Sequence, residues 1–370
     1  PAMLQPMDVQ VYDAGGRRYR LTEGDRQLLE SSGAIRPGKG VPPAALGPRH
    51  VEEDDEMDDA DSSFVKQRPC GQHFVKLAAD PQLFPFVIGK QGATKARIEQ
   101  SSGATVHVPR KGQAGQEVEV TGPTAPAVAS AFKQVEAVIH SAIAGPRLPY
   151  THFVSIPLTS AEMQRRIEEF RDRLVADPRA AAEWKVFPET FQLPQKFHQT
   201  IAVLKLYTAG MRNAAQQVLK SFEGCLKGVP MKIAVRGLDI MNDDPSECHN
   251  LYAKLSDSGT DGTSGIQAFC DRVVQALSEA DLLPGKDAGD VKLHATLLSS
   301  KFAARRGEAA TREGGGAAGK LRRDPFDARA ILAEEGGADF GEHSMECIHL
   351  STMGPSGPDG YYMPLSTAVL

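Results

Sequence analysis

The sequence predicts a mixed α/β (α+β) chain in which a small N-terminal module precedes a larger, duplicated unit. Within 66–145, short strand-like runs surround two helical stretches. From Thr151 onward, strand-like and helical periodicities alternate twice in succession. Two of these strand-like runs carry the same tripeptide, His-x-Thr, at 198–200 and 294–296. We therefore expect the larger unit to consist of two halves related by an approximate twofold axis, each with one copy of the tripeptide.

The first 65 residues are expected to be mostly disordered. One short strand is predicted at 9–12, and the rest is rich in proline, glycine and acidic residues. An acidic run at 52–61 contains eight carboxylates, which predicts a solvated segment rather than a binding site. Pro146 and Pro149 mark a linker, so the predicted segments are 1–65, 66–145 and 150–370.

Charge is unevenly distributed along the chain. The formal net charge is −5, but outside the acidic run 42 Lys and Arg residues face 39 acids, for a net charge of +3. Segment 66–111 contains eight Lys or Arg residues and two acids. Such a segment attracts polyanions even when the whole chain is acidic. Because no apolar stretch is long enough to span a bilayer, we expect neither a membrane partner nor secretion.

The two His-x-Thr tripeptides are the candidate catalytic feature. Side chains two residues apart share a face of a strand, so His198 lies beside Thr200 and His294 beside Thr296. An imidazole exchanges protons near neutral pH, and a threonine hydroxyl can donate a hydrogen bond to an anionic oxygen. Two such faces opposed across a cleft would suit a phosphodiester, since one imidazole can accept a proton while the other delivers one. The alternative, for either residue alone, is a strand histidine without catalytic function.

The candidate nucleic-acid-binding feature is a Gly-x-x-Gly turn between two apolar segments, Gly89-Lys90-Gln91-Gly92. Glycines let backbone amides approach a phosphate, and the N-terminus of the following helix favours negative charge. Lys90 adds a cation, and Lys95 and Arg97 follow one turn later. Bases would rest on an apolar platform made of Ile88, Ile98 and Val106. The alternative is a tight turn with surface charges, which the surrounding pattern of strands and helices disfavours.

Both modules resemble known families. A helix, a Gly-x-x-Gly turn, a helix, a strand pair and a last helix form the layout of a KH module. Residues 150–370 resemble the two-histidine (2H) phosphoesterases, in the branch near the nuclear-localisation domain of a kinase-anchoring protein. The resemblance includes an opening strand at 151–158 and both tripeptides. It implies a KH module followed by a duplicated, pseudo-twofold 2H phosphoesterase α/β fold.

The 2H resemblance also implies roles for the site residues. The histidines of the two tripeptides would form an acid/base pair, and their threonines would donate hydrogen bonds to the non-bridging phosphate oxygens. Phe153 and Tyr252 are candidates for base stacking, although core packing explains each of them equally well. No metal or other cofactor is expected, because no cluster of Asp, Glu and His has the spacing of metal ligands.

A KH module followed by a 2H domain resembles one subunit of a nuclear complex that contains a helicase and serves transcriptional coactivation and alkylation-damage repair. The resemblance implies a nuclear location. The implied partners are single-stranded RNA, or DNA, and the helicase and other subunits of such a complex. Three functions are compatible with the sequence: an RNA-acting phosphodiesterase, a non-catalytic nucleic-acid-binding adaptor, and a phosphodiesterase for small cyclic or 2′-5′-linked nucleotides.

Overall fold

The computed structural model describes residues 10–14, 17–21, 62–110, 117–227, 231–258, 265–283, 291–304 and 324–370. The chain divides into two compact units, Pro1–Met57 and Asp58–Leu370. In the first unit, strands β1 (Gln10–Ala14) and β2 (Arg17–Leu21) pair antiparallel. The sequence predicted only one strand here, because the arginine-rich second strand has no apolar alternation. The acidic run at 52–61 and the loop residues 305–323 lie outside the described residues.

The second unit begins with a four-stranded antiparallel sheet and three helices that share one core with it. Its elements are β3 (Lys66–Gln67), β4 (His73–Ala78), α1 (Phe84–Ile88), α2 (Ala93–Ser102), β5 (Thr105–His107), β6 (Glu117–Gly122) and α3 (Ala125–Ala144). The strand order is β3-β4-β6-β5, so β6 pairs with both β4 and β5. This module has the predicted layout of helix, turn, helix, strand pair and helix.

The rest of the second unit is built on one eight-stranded sheet. Its strands are β7 (His152–Pro157), β8 (His198–Leu204), β9 (Lys232–Ile240), β10 (Asn250–Asp257), β11 (His294–Ser299), β12 (Asp339–Ser344), β13 (Cys347–Ser356) and β14 (Tyr362–Val369). Its helices are α4 (Ala161–Ala176), α5 (Ala209–Lys220), α6 (Gly265–Glu279) and α7 (Arg329–Glu335). Only one strand, at 345–352, was predicted after β11, whereas the structure has three.

The strand order of the large sheet explains the duplication. It is β12-β9-β10-β11-β8-β7-β13-β14, and every neighbouring pair is antiparallel. The boundary between β11 and β8 leaves four strands on each side, so the two strands that begin with His294 and His198 meet at the centre. The predicted mixed fold with two related halves is confirmed.

The two modules of the second unit are packed together. Tyr207, which follows β8, is 1% exposed and belongs to the core of the N-terminal module, and its hydroxyl donates to the carbonyl of Pro149 at 2.7 Å. Lys205 is also buried, and its Nζ donates to the carbonyls of Ile143 at 2.9 Å and Gly145 at 2.7 Å. These carbonyls end helix α3, where a cation is favoured by the helix dipole. The junction is therefore a packed, hydrogen-bonded interface.

In the part of the chain that the structure describes, no helix combines the length and the apolar character needed to cross a membrane.

Candidate active site and nucleic-acid interface

The His-x-Thr tripeptides lie on the two central strands of the large sheet. Gln199 of β8 is paired with Ala295 of β11 in an antiparallel register. One step to either side, His294 therefore lies across from Thr200, and His198 across from Thr296. All four side chains are partly exposed. The structure thus brings the four predicted catalytic residues together on one face, with solvent access.

Both imidazoles are held in the same way. The Nδ1–H of His198 donates to the carbonyl of Lys196 at 2.7 Å, and the Nδ1–H of His294 donates to the carbonyl of Lys292 at 2.8 Å. A carbonyl oxygen only accepts hydrogen bonds, so Nδ1 carries the proton in the neutral ring and Nε2 keeps a lone pair. Each ring therefore has Nε2 free to accept a proton, or to donate one once protonated.

Burial shifts the titration of both histidines. It lowers the pKa of His198 to about 4, an effect that the Lys196 carbonyl opposes and the neighbouring His294 reinforces. Burial also lowers the pKa of His294, where the Lys292 carbonyl again opposes the shift and the Lys292 charge adds to it. Both pKa values thus lie below the ordinary value near 6.5. In the absence of a bound ligand, both imidazoles are therefore neutral at pH 7.

The two aromatic residues predicted to stack on bases are almost fully buried. Phe153 is 4% exposed and Tyr252 is 2% exposed. The Phe153 ring packs on the His198 imidazole at 5.3 Å between centroids, and the Tyr252 ring packs edge-on against His294 at 5.5 Å. This corrects the base-stacking assignment, because these rings flank the imidazoles and shield them from water. Tyr252 also donates a hydrogen bond to Asp239 at 3.0 Å.

Sequence reasoning missed two lysines beside the histidines. Lys196 and Lys292 precede their histidines by two residues, so both copies read Lys-x-His-x-Thr. Lys196 Nζ lies 4.6 Å from the ring centroid of Tyr362, and Lys292 Nζ lies 4.7 Å from that of Tyr252. Each half of the site thus places a cation against a tyrosine ring near the imidazole. The repeated lysine was a visible signal, and it extends the shared motif by two positions.

A cavity of about 540 Å³ adjoins the His198 half of the site. Thr200 and the half-exposed ring of Tyr362 line it together with His198. The Tyr362 ring meets the His198 imidazole edge-on at 5.5 Å. Tyr150, which is 45% exposed at the end of the linker, lines the same cavity. Together with the partly exposed Phe302, these two rings offer more aromatic surface to the cavity than the buried Phe153 does, and nothing in the sequence around Tyr362 indicated this.

The Gly-x-x-Gly turn connects α1 and α2 as predicted. Gly89 has φ +74° and Gly92 has φ +83°, in the left-handed region that favours glycine. A Cβ at Gly89 would lie 2.2 Å from Thr94 Oγ1, whereas one at Gly92 would meet no atom within 4 Å. Gln91 also has a positive φ of 54°, so this position carries local strain of about 1–2 kcal/mol. Lys90 and Gln91 are exposed at the tip of the turn.

The two basic residues of α2 point to different sides. Lys95 pairs with Glu99 at 3.5 Å, and Glu99 in turn accepts a hydrogen bond from the backbone N–H of Val106 on β5. Arg97 instead lines a cavity of about 560 Å³ between α2 and α3 that Arg147 of the linker also lines. The predicted cluster of Lys90, Lys95 and Arg97 is therefore divided, with Lys95 on the β5 side.

The predicted apolar platform is also corrected. Ile98 and Val106 are both fully buried in the core of the N-terminal module, so they have no surface to offer a base. Ile88 is 37% exposed and is the one member of the predicted set that remains accessible. Ile98 faces inward because it lies on the side of α2 that packs on the core, opposite the solvent. A helix residue between charged neighbours could not be assigned to the inner face from spacing alone.

Within the described ranges, no group of three or more His, Cys, Asp or Glu side chains is arranged to hold a metal ion. Asp244 instead accepts a hydrogen bond from the backbone N–H of Ser246 at 2.8 Å. It therefore caps a turn.

Two family models match the chain. The AKAP7 2'5' RNA ligase-like domain matches residues 150–370, and the KH domain matches residues 75–137. The first match covers more than half of the sequence, so the chain belongs to the AKAP7 2'5' RNA ligase-like domain family. Its overall organisation is a KH domain followed by a 2H phosphoesterase-like domain, as predicted.

The whole arrangement is similar to that of a curated relative. Activating signal cointegrator 1 complex subunit 1 of Mus musculus is 28% identical over 323 residues, which cover 82% of this chain and 88% of the mouse protein.

The chain is also similar to several solved structures. TT0787 of Thermus thermophilus is 17% identical with a TM-score of 0.37, and covers 60% of this chain and 97% of its own. LigT of E. coli complexed with 3'-AMP is 14% identical with a TM-score of 0.37, and covers 60% and 99%. The first type I KH domain of human Vigilin is 20% identical with a TM-score of 0.20, and covers 27% and 100%.

Proposed function

We propose that this protein is an RNA-acting phosphodiesterase that needs no metal ion. In this proposal the KH domain captures a single strand at the Gly-x-x-Gly turn, and the 2H cleft cleaves a phosphodiester, including a terminal 2′,3′-cyclic phosphate. The observation that carries the proposal is the pair of imidazoles on adjacent central strands, each with Nδ1–H held by a backbone carbonyl. This arrangement leaves two Nε2 atoms for proton transfer on one face.

The hydrolysis balances with these groups alone. One Nε2 accepts a proton from water as the water oxygen forms a new bond to phosphorus. The P–O bond to the ribose oxygen breaks, and the other imidazole, protonated at Nε2, donates its proton to that oxygen. Thr200 and Thr296 donate hydroxyl hydrogen bonds to the non-bridging oxygens, where negative charge accumulates. Lys196 and Lys292 add positive charge near the same anion.

We also propose separate roles for the two rings, supported by the difference in their surroundings. The His198 imidazole is enclosed by three aromatic rings, those of Phe153, Tyr361 and Tyr362, so its charged form is strongly disfavoured. Because its lowered pKa leaves the ring unprotonated throughout the neutral range, we assign His198 as the general base. His294 contacts one aromatic ring, that of Tyr252, and can be protonated more readily beside a bound phosphate. His294 is then the general acid.

The direct test is turnover of a short RNA that ends in a 2′,3′-cyclic phosphate, by the purified chain in EDTA. We expect wild-type activity to persist in EDTA. We expect His198→Ala and His294→Ala each to lower kcat by about 10²–10⁴-fold, because each removes one proton transfer. Thr200→Ala and Thr296→Ala should each lower kcat by less.

His140→Ala provides a matched control, since His140 is an exposed histidine on α3 that is hydrogen-bonded to Asp281 and does not line the cavity beside His198. Its activity should equal that of the wild type. Full activity in either His198→Ala or His294→Ala would disprove the catalytic assignment. Turnover of a cyclic mononucleotide at the same kcat/KM as RNA would instead favour the small-nucleotide function.

One observation favours the second candidate function, a nucleic-acid-binding adaptor. Both free histidines have lowered pKa values, so neither is protonated at neutral pH without help from a bound anion. A pocket with two neutral imidazoles, two hydroxyls and two lysines can bind phosphate without cleaving it. RNA binding with no detectable cleavage between pH 5 and pH 8 would support this candidate.

For the cellular context, we propose a nuclear subunit of a coactivator and alkylation-repair complex that contains a helicase. The support is the similarity to the mouse cointegrator complex subunit over most of both chains. The test is affinity purification of the tagged chain from nuclear extract, followed by identification of a helicase among the bound proteins. Recovery of the chain without a helicase, or only from the cytoplasm, would contradict this proposal.

A further inference from the structure

The residue between His198 and Thr200 is a buried glutamine with an unusual set of partners. Gln199 has no exposed surface, and its Oε1 accepts a hydrogen bond from the backbone N–H of His294 at 2.6 Å. Its Nε2 donates to the carbonyls of Thr200 at 2.6 Å and Lys292 at 3.2 Å. One side chain of the first half thus contacts the backbone of the second half at His294 and at Lys292, two residues before it.

These contacts occur where the two central strands, β8 and β11, share few backbone hydrogen bonds. The pairing of β8 with β11 is registered at one position, Gln199 with Ala295, whereas β7 and β8 pair at six positions. Backbone groups near the His-x-Thr tripeptides therefore have few ladder partners, and buried backbone groups need partners. The Gln199 carboxamide supplies both an acceptor and donors for them.

The Lys292 carbonyl is the central atom of this arrangement. It accepts the Nδ1–H of His294 at 2.8 Å and also a hydrogen bond from Gln199 Nε2. A carbonyl oxygen has two lone pairs, so both bonds can form at once and together fix its direction. The carbonyl in turn fixes the tautomer and the ring orientation of His294.

We propose that Gln199 is a positioning residue that holds His294 with Nδ1 protonated and Nε2 directed into the cleft. The arrangement is one-sided, because the corresponding residue of the second tripeptide is Ala295, which has no polar side chain. Only a primary amide of this length meets all three partners. Glutamate would supply the acceptor but no donor, and methionine would fill the space with neither.

The consequence for catalysis rests on the proposed function, but the structural assignment does not. The test is therefore an imidazole ¹⁵N NMR spectrum of the intact chain at pH 7, for wild type and for Gln199→Met. In the wild type, both histidines should show the Nδ1–H tautomer. In Gln199→Met, the His294 signals should shift towards a mixture of tautomers, while those of His198 remain unchanged.

Gln216→Met is the matched control, because Gln216 also donates to a backbone carbonyl, that of Leu365, on a helix away from the cleft. It should leave both histidine tautomers unchanged. Gln199→Glu keeps the side-chain length without the N–H donors and should reproduce the effect of Gln199→Met on His294. Unchanged His294 tautomers in folded Gln199→Met and Gln199→Glu would overturn the proposal.

A second measurement uses the unmodified protein, in case the variants do not fold. The side-chain amide protons of Gln199 should exchange slowly with solvent, because Gln199 itself has no exposed surface and both protons are hydrogen-bonded to carbonyls. Fast exchange at pH 7 would also overturn the proposal. If the wild type turns over RNA, Gln199→Met should lower kcat by about tenfold to a hundredfold, with KM changed less than twofold. If the wild type shows no turnover, the proposed function fails while the tautomer result still decides the role of Gln199.

Discussion

His198 and His294 share a motif and a backbone contact, yet their surroundings differ. Three aromatic rings enclose the His198 imidazole, and one ring and a lysine charge lie against His294. Burial is the first cause of the lowered pKa in both cases. The proposed mechanism needs one neutral and one protonated ring when phosphate is bound, and the difference in surroundings is the basis on which we assign the two roles.

The pH dependence of kcat/KM follows from these shifts. A general base with a lowered pKa stays active at acidic pH, and a general acid with a lowered pKa loses its proton below pH 6.5. We therefore expect the kcat/KM maximum for RNA cleavage to lie below pH 6.5 and the rate to fall towards alkaline pH. Lys292→Met removes a charge that lowers the pKa of His294, so the alkaline limb should move to higher pH. A maximum above pH 7.5, or an alkaline limb that Lys292→Met leaves in place, would contradict this.

For individual residues, the sequence predicted which side chains share a face of a strand better than it predicted which side chains are exposed. The four catalytic candidates come from a two-residue period, which is a local property, and the structure places them together. The aromatic candidates failed because the burial of Phe153 and Tyr252 depends on strands distant in sequence. Tyr362 reaches His198 from the last strand, a contact that no local pattern encodes.

The two glycines of the Gly-x-x-Gly turn are needed for different reasons. Gly89 lacks room for a Cβ because Thr94 approaches it closely, whereas Gly92 needs only its left-handed φ. Replacing Gly89 therefore disturbs the turn itself. Replacing Gly92 tests the binding surface with little steric disturbance.

We expect Gly92→Asp to weaken single-stranded RNA binding about tenfold or more, because it places a negative charge at the N-terminus of α2, where the phosphate is expected. Asp tolerates a left-handed φ better than most residues, so the fold should persist. Fluorescence anisotropy with a labelled oligonucleotide measures the affinity. Gly103→Asp is the matched control, since Gly103 has φ +70° at the other end of α2 and also has space for a Cβ. Equal affinity of Gly92→Asp and Gly103→Asp would contradict the KH interface.

Whole elements were predicted where the pattern is local and were missed where it is not. The apolar residues that recur at helical spacing in α4 specify its inner face, and all four are buried: Met163, Ile167, Phe170 and Leu174. Strands β12 and β14 lie at the two edges of the sheet, where most of their residues are partly or fully exposed. Edge strands bury too little to show a clear alternation, which is why they were absent from the prediction.

The interface between the two modules affects the stability of the whole second unit. Lys205→Met should leave the buried carbonyls of Ile143 and Gly145 without their donor, at a cost of about 1–3 kcal/mol. Hydrogen exchange in increasing urea would measure this, with α2 reporting on one module and β8 on the other. We expect both to lose protection together in the wild type and α2 to lose it earlier in the variant.

Tyr207→Phe is the comparison for that experiment, because it removes only the hydroxyl contact to Pro149 and keeps the ring in the core. Its cost should be about 1 kcal/mol, without separation of the two transitions. Identical urea midpoints for wild type and Lys205→Met would show that the buried ammonium does not stabilise the interface.

Acid should destabilise the folded chain through its buried histidines. Burial lowers the pKa of His152 to about 4, with the Arg212 charge adding to the shift, and it lowers that of His198 to about 4. An unfolded histidine has a pKa near 6.5, so the unfolded state binds more protons between pH 4 and pH 6.5. The free energy of unfolding must therefore decrease as the pH falls through this window.

Thermal unfolding at several pH values checks this expectation. His152→Gln should make the free energy of unfolding less dependent on pH between 4 and 6.5. The same slope in wild type and His152→Gln would exclude His152 as a source of acid sensitivity.

The insertion of Tyr207 into the neighbouring core has a consequence for any attempt to dissect the chain. An N-terminal fragment that ends at the linker would retain the Gly-x-x-Gly turn but lose the Tyr207 ring, which would leave a cavity in its core. The C-terminal fragment would expose the ring of Tyr207, which is buried in the intact chain, to solvent. The two modules therefore depend on each other for a complete core. Replacing the N-terminal module with another KH domain would require a domain whose core has space for the Tyr207 side chain.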